Sequence, residues 1–274
     1  MKIFNAIAQA DLVKLFFDKT GIKLSYLISY NYLAGQAFKL TKEYRSMMDL
    51  LALDSGAFSN KTATISEYSL YLGRYGNLYD VSFNLDNDFD DPDHNWRNQV
   101  YLEHHLPVNV QKPIPVIHDP KDPFGEFEMF YKDYPYVAIG SNKKLEDEVF
   151  KKFKEKYPDL RLHMFGTLDR QMLITHKPYS VDATSYAKQA EFGVILWWRP
   201  EEQKEYRIYV GERDRKDDKL PHFKQFEHQK ELEEFLQTTF KYTYTDLLTS
   251  YQAKMMVNFY FMHQLEGYIN SLTP

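Results

Sequence analysis

The chain has 274 residues, 43% of them apolar and 27% charged, enough length and apolar content for a sizeable core and the wrong composition for a mainly disordered polymer. Lys plus Arg number 34 against 39 Asp plus Glu, a net charge of -5, which excludes a uniformly basic nucleic-acid coat but leaves room for a local basic groove. Cysteine is absent, so disulfides, thiolate zinc sites, iron–sulfur clusters and cysteine nucleophiles are all excluded.

The first segment, MKIFNAIAQADLVKLFFDKTG, carries one early Lys and an Asp at position 11 and lacks a small-residue cleavage site, so it reads as mature protein rather than a signal peptide. No apolar run approaches the roughly 20 residues of a membrane span, and the expected compartment is the cytoplasm. Eight short apolar runs then follow one another. They are LSYLISY (24–30), LLALDS (50–55), YDVSFNLD (79–86), PIPVIHD (113–119), YVAIGS (136–141), RLHMFGT (161–167), YSVDAT (179–184) and GVILWW (193–198). Between them lie SEYSLYLGRYG, PFGEFEMFYKDY, KLEDEVFKKFKEKY and SYAKQAEF, which alternate apolar and charged residues as surface helices do. Apolar strands alternating with helices predict a parallel sheet covered by helices, and eight such units predict a single α/β domain over 1–274, a (β/α)8 TIM-type barrel. An open doubly wound sheet is the competing architecture, and no G-x-G-x-x-G fingerprint supports it.

After the eighth run, residues 199–227 are strongly charged and predict an exposed insertion or hairpin, with EYRIYV as a strand. Residues 228–274 predict C-terminal helices, over 228–240 and 244–271. The second carries Leu247, Leu248, Tyr251, Met255, Phe259, Met262 and Tyr268 near helical spacing, a stripe expected to pack on the barrel.

Barrel active sites lie at the carboxyl ends of the strands. Those positions hold Tyr30, Asp54, Asp86, His118 with Asp119, Gly140 with Ser141, Gly166 with Thr167, and Asp182. An Asp closing an apolar run costs strand propensity and desolvation. A helix N-cap explains any one of them; several at one mouth point to carboxylate chemistry. Paired carboxylates suit glycosyl transfer, in which one attacks the anomeric carbon and the other moves protons.

LLALDSGAFS resembles the Asp-Ser-Gly-Gly/Ser/Ala-aromatic motif of the tRNA-guanine transglycosylases, the queuine and archaeosine tRNA-ribosyltransferase superfamily. SVDATSYAKQA resembles the segment around that family's nucleophile. Between them NLD, VAIGS and LHMFGT come in the family's order, and KMMVNFYFMHQL is similar to its late helix, so the resemblance covers about 24–198 and 250–265. It implies a glycosyltransferase (a pentosyltransferase) that exchanges guanine for a 7-deazaguanine in a polynucleotide. Asp182 would be the nucleophile at C1′ and Asp54 the general acid/base. Ser55, Phe58, Asp86, His118, Gly140, Ser141, Phe165 and Gly166 would bind the base. Phe58 would stack on it, Phe165 would close the other face beside Gly166, and Asp86 would accept its N1–H and amino protons. Backbone at Gly140 and Ser141 would meet its carbonyl side. His118 stands where the family has Gln.

Plainer readings stand beside these. Phe58 and Phe165 fit ordinary core aromatics. Asp86 competes with Asp88, Asp90 and Asp91 in a stretch that fits a solvated acidic loop or a cation site. His104 and His105 read as surface residues, and His163 as a satisfied core histidine. The family's structural zinc is held by three Cys and a His. Here the Cys are missing and Val257 precedes Asn258 where the His would be, so loss of the zinc subdomain is expected, with no metal and no cofactor. That favours the DNA-modifying branch over tRNA. The expected partners are DNA or tRNA and a guanine or 7-deazaguanine base, with no membrane; a homodimer is left open. Phosphate contacts would come from Arg199, Lys204, Arg207, Arg213, Arg215, Lys216 and Lys219, each of which also reads as a solvated surface charge. A hydrolytic N-glycosidase or retaining glycosidase using the same two Asp, and a catalytically silent nucleic-acid-binding subunit, are the alternative functions.

Overall fold

The computed structural model describes residues 1–7, 9–32, 36–57, 63–88, 91–119, 121–140, 147–212 and 220–272. Its strands are β1 (Lys2–Ile7), β2 (Leu24–Ser29), β3 (Met48–Asp54), β4 (Val81–Ser82), β5 (Val116–Ile117), β6 (Tyr136–Ile139), β7 (Arg161–Met164), β8 (Ser180–Ala183), β9 (Val194–Arg199) and β10 (Lys204–Tyr209). The helices are α1 (Asp11–Thr20), α2 (Ile65–Tyr75), α3 (Pro92–His105), α4 (Pro123–Glu126), α5 (Asp147–Lys156), α6 (Arg170–His176), α7 (Ser185–Glu191), α8 (Gln229–Thr239), α9 (Tyr244–Thr249) and α10 (Tyr251–Ser271). Two compact units emerge, one of Met1–Ala8 with Leu24–Ala183, the other of Gln9–Lys23 with Thr184–Pro274. No described helix is long and apolar enough to cross a membrane.

The first unit is built on an eight-stranded sheet in the order β4-β3-β2-β1-β8-β7-β6-β5, with every pairing parallel. Beyond the edge strands β4 and β5, Phe83 and Ile114 form one parallel bridge. Asn84 donates its N–H to the Ile114 carbonyl at 2.9 Å and Ile114 donates to Ser82 at 2.8 Å. Phe4, Leu27, Ala52, Phe83, Ile114, Val116 and Ala138, from β1, β2, β3, β5, β6 and the bridge between the sheet's edges, share one buried cluster with Phe165 packed against it, so the sheet curls about a common core. The helices read from the sequence are present as α2, α4, α5 and α7, with α4 running on into a π-helical turn, Phe127–Tyr131. The N-terminus of α2 is fixed by a capping box in which Thr64 accepts from the Glu67 N–H and the Glu67 side chain accepts from Thr64.

Strand membership corrects the sequence reading. GVILWW forms no part of the eight-stranded sheet; as β9 it pairs antiparallel with β10 in the second unit. The missing strand is β1, KIFNAI, between β2 and β8. Its polar Asn5 hides it from a search for apolar runs. That side chain is buried and donates to the Ser25 carbonyl at 3.1 Å. β9 imitates a parallel core strand because Val194 to Trp198 are all buried, Trp197 among Tyr206, Phe226 and Phe235. Continuous burial shows a strand sheltered on both faces but not which sheet shelters it.

In the second unit, the strand read in EYRIYV is present as β10, whose Tyr206 and Ile208 are buried. The helix expected over 244–271 is broken at Ser250, which caps α10 by accepting from the Ala253 N–H at 3.1 Å. Leu247, Met255, Phe259 and Met262 are buried, α10 lies on β9, α7 and α1, and Phe259 meets Phe16 edge-on at 5.7 Å. Asn258 is wholly buried and clasps this unit. Its Oδ1 accepts from the Leu196 N–H at 2.7 Å, and its amide donates to the carbonyls of Tyr186 at 2.9 Å and Val194 at 3.3 Å.

Candidate active site

The first unit gathers its chemistry-bearing residues where its parallel strands end. Asp54 closes β3, Asp86 follows β4 by four residues, His118 and Asp119 follow β5, Gly140 follows β6, Phe165 and Gly166 follow β7, and Asp182 lies in β8. A parallel sheet brings all its carboxyl ends to one edge, so residues scattered over 129 positions of sequence meet there.

Asp54 is half-buried and accepts from the Gly56 N–H at 3.2 Å. Burial, reinforced by the charges of Asp86 and Asp182, pushes its pKa up to about 8, against the weaker pull of the Gly56 and Ser55 amides. At neutral pH this carboxyl therefore holds its proton. Beneath it Tyr68, fully buried, donates to the Phe83 carbonyl at 2.8 Å. Burial first, then the Asp54 and Asp86 charges, holds its phenol well above the usual range.

Asp86 is buried and both its oxygens are engaged. Oδ1 accepts from the buried Ser55 hydroxyl at 2.9 Å, and Oδ2 pairs with His118 Nε2. Each oxygen keeps a second lone-pair direction. Burial disfavours the His118 imidazolium, but Asp86, with Glu126 and Asp54 behind it, raises the His118 pKa overall. The imidazole lies over Gly140. A Cβ there would fall 2.3 Å from His118 Cε1 and 2.4 Å from Nδ1, so only glycine lets the ring take this place. Glu126 at the end of α4 secures the His118 backbone: its Oε2 accepts from the His118 N–H at 2.9 Å and the Asp119 N–H at 2.7 Å. Burial raises the Glu126 pKa against those two amides.

Asp182 is buried, and its Oδ1 accepts from the Gly166 N–H at 2.8 Å. Gly166 adopts φ +63°, a left-handed conformation that aims this N–H back into the site and that a β-carbon would strain. Asp182 Oδ1 also lies 3.5 Å from Nε2 of His163, which is fully enclosed. Phe165 is partly buried against the core and meets Phe83 at 4.7 Å and His163 at 4.6 Å between ring centres.

The structure thus brings together Asp54, Ser55, Asp86, His118, Gly140, Phe165, Gly166 and Asp182. Phe58 and Ser141 lie outside the described residues, as do Asp90, Arg213, Arg215, Lys216 and Lys219. The other proposed phosphate contacts, all in the second unit, have partners of their own. Arg199 pairs with Glu202 and, at 3.0 Å, with Glu231. Lys204 sits over the Tyr206 ring, and Arg207 donates to Gln189 at 3.0 Å. In the acidic stretch Asp91 caps α3, accepting from the His94 N–H at 3.0 Å, and Asp88 is held by Asn95. No group of three or more His, Asp or Glu among the described residues is arranged to hold a metal ion. His104 and His105 are exposed.

Sequence reasoning passed over Glu126 and Ser180 and took His163 for an ordinary core residue. Nothing local marks Glu126. Period two was a usable signal for Ser180, which shares a strand face with Asp182, and the parallel register sets His163 opposite Ser180. No protein-family model and no curated protein matches the chain.

Proposed function

We propose that this protein is a base-exchanging glycosyltransferase that swaps guanine for a 7-deazaguanine in a polynucleotide, DNA being favoured over tRNA, and that its curled sheet is a (β/α)8-type barrel with its mouth as the active site. The single observation that carries the reading is the gathering of three carboxyls, Asp54, Asp86 and Asp182, at one end of the sheet, where burial and the other two charges raise the pKa of Asp54. An acid and a nucleophile at one site are the two parts that retaining glycosyl chemistry requires.

In the first half-reaction, an Asp182 oxygen forms a bond to C1′ of the target nucleotide. The bond from C1′ to the base nitrogen breaks, its electron pair leaves with the base, and Asp54 gives that base its proton. In the second half, the incoming base returns a proton to Asp54, its nitrogen bonds to C1′, and the ester to Asp182 breaks. Atoms, charge and protons balance over the cycle, with no water consumed. Asp86, steadied by Ser55 and His118, offers acceptor lone pairs suited to the N1–H and amino edge of guanine. A base inside a duplex must first leave its stack to reach such a site.

The test offers labelled guanine with duplex DNA, single-stranded DNA and tRNA in parallel, with Asp182→Asn as control. The expected result is label incorporation into one polynucleotide and a covalent adduct, both absent in Asp182→Asn. Release of base without incorporation would identify a hydrolase instead, and full exchange by Asp182→Asn would refute the assignment.

A further inference from the structure

A string of polar groups runs through the core of the first unit behind Asp182. His163 Nε2 lies 3.5 Å from Asp182 Oδ1. His163 Nδ1 is 2.7 Å from Ser180 Oγ, and Ser180 Oγ is 2.6 Å from the Tyr136 hydroxyl. His163 is fully buried, with Phe83 and Phe165 rings 4.6 Å away and Phe4 at 6.1 Å. Among the described residues Nε2 makes no hydrogen bond, so Asp182 is the polar group it faces.

We infer that His163 is a positioning residue, a neutral imidazole carrying its proton on Nε2, which with the Gly166 N–H pins Oδ1 of Asp182 and leaves Oδ2 as the oxygen that attacks. Proton counting supports that tautomer. An ionised carboxylate offers only acceptors, so the nitrogen facing it is favourable only when it bears hydrogen. In a ring that carries one proton, on Nε2, Nδ1 accepts. The single hydroxyl proton of Ser180 then goes to Nδ1, and the single hydroxyl proton of Tyr136 goes to Ser180 Oγ. Each proton is used once and the whole string points toward Asp182. The reverse order places an imidazole lone pair against the Asp182 carboxylate, which is unfavourable in a buried site. The Gly166 N–H and His163 Nε2 both lie against Oδ1, at 2.8 and 3.5 Å, rather than against Oδ2. Pinning one oxygen orients the other, and orientation of the attacking atom is a large part of such a rate.

The assignment of Oδ2 as nucleophile rests on the exchange reading; the tautomer does not. Two measurements separate them. In the wild-type protein, long-range proton–nitrogen correlation spectra of the imidazoles, with His163 located by its loss in a variant, should show an Nε2–H tautomer. An Nδ1–H tautomer or an imidazolium overturns the inference whether or not exchange occurs. In the exchange assay, His163→Gln sets an amide nitrogen near the place of Nε2, and His163→Asn sets one near Nδ1. The Gln variant should keep kcat, while the Asn variant loses about 10²-fold in kcat with KM unchanged. Equal losses in both, or none in either, would assign His163 to packing alone. Absence of exchange in the wild type would refute the proposed function and leave the tautomer to decide the rest.

Discussion

Replacing Asp54 by Asn removes a carboxyl whose pKa the fold raises from 3.8 to about 8. A group that binds its proton more tightly when folded stabilises the fold at low pH and loses that contribution as pH rises. Below about pH 4 both states carry the proton; between about 4 and 8 only the folded state does; above 8 neither does, and the folded protein holds a half-buried charge beside two others. At about 1.4 kcal/mol per pH unit, the full shift corresponds to at most about 6 kcal/mol. Asp54 is half-buried, and solvent screening reduces this to about 2 kcal/mol. Asp54→Asn should therefore match the wild type in stability near pH 4 and exceed it by about 2 kcal/mol at pH 9, with the gap opening between. Denaturant melts of both proteins at half-unit pH steps measure this, and taking the difference cancels groups that titrate alike in both, Glu126 among them. A gap that stays flat from pH 4 to 9, or one with the wild type more stable at pH 9, would show that Asp54 ionises normally and would remove the acid from the proposed chemistry. The same shift predicts that base release by the wild type declines as pH rises past about 8.

Two further substitutions probe the supports of the two units separately. Gly140→Ala places a methyl group 2.3 Å from the His118 ring and should push the imidazole off Asp86. The His118 pKa should fall in an imidazole titration by NMR, and a melt should show a loss of about 1–3 kcal/mol; an unchanged His118 titration would contradict the contact. Asn258→Ala strips partners from the Leu196 amide and the Tyr186 and Val194 carbonyls, all internal to the second unit. Unfolding should cost about 3 kcal/mol less than in the wild type, and a loss below about 0.5 kcal/mol would mean that the clasp is dispensable.

The alternation of apolar runs with amphipathic stretches was enough to specify a parallel α/β sheet, because burial on both faces leaves a continuous apolar strand and surface helices leave a periodic one. Placing Asp54, Asp86, His118 and Asp182 near strand ends followed from the same pattern, since each closes an apolar run: Asp54 ends β3, His118 follows β5, Asp86 lies four residues beyond β4 and Asp182 lies in β8. Which strands belong together was not local information. KIFNAI enters the sheet through the buried Asn5, while GVILWW leaves it because aromatic residues of a different unit cover it. The ionisation of Asp54 was equally hidden. It depends on two carboxylates 32 and 128 positions further along the chain, and only the curl of the sheet brings their fields onto one proton. Glu126, Ser180 and His163 act through partners set by register and packing, so residue type alone could not distinguish them from ordinary core or cap residues. Composition and spacing decided what kinds of groups the chain could present at its strand ends, and tertiary structure decided which of them share a charge, because electrostatic coupling depends on distance in space and not on separation along the backbone.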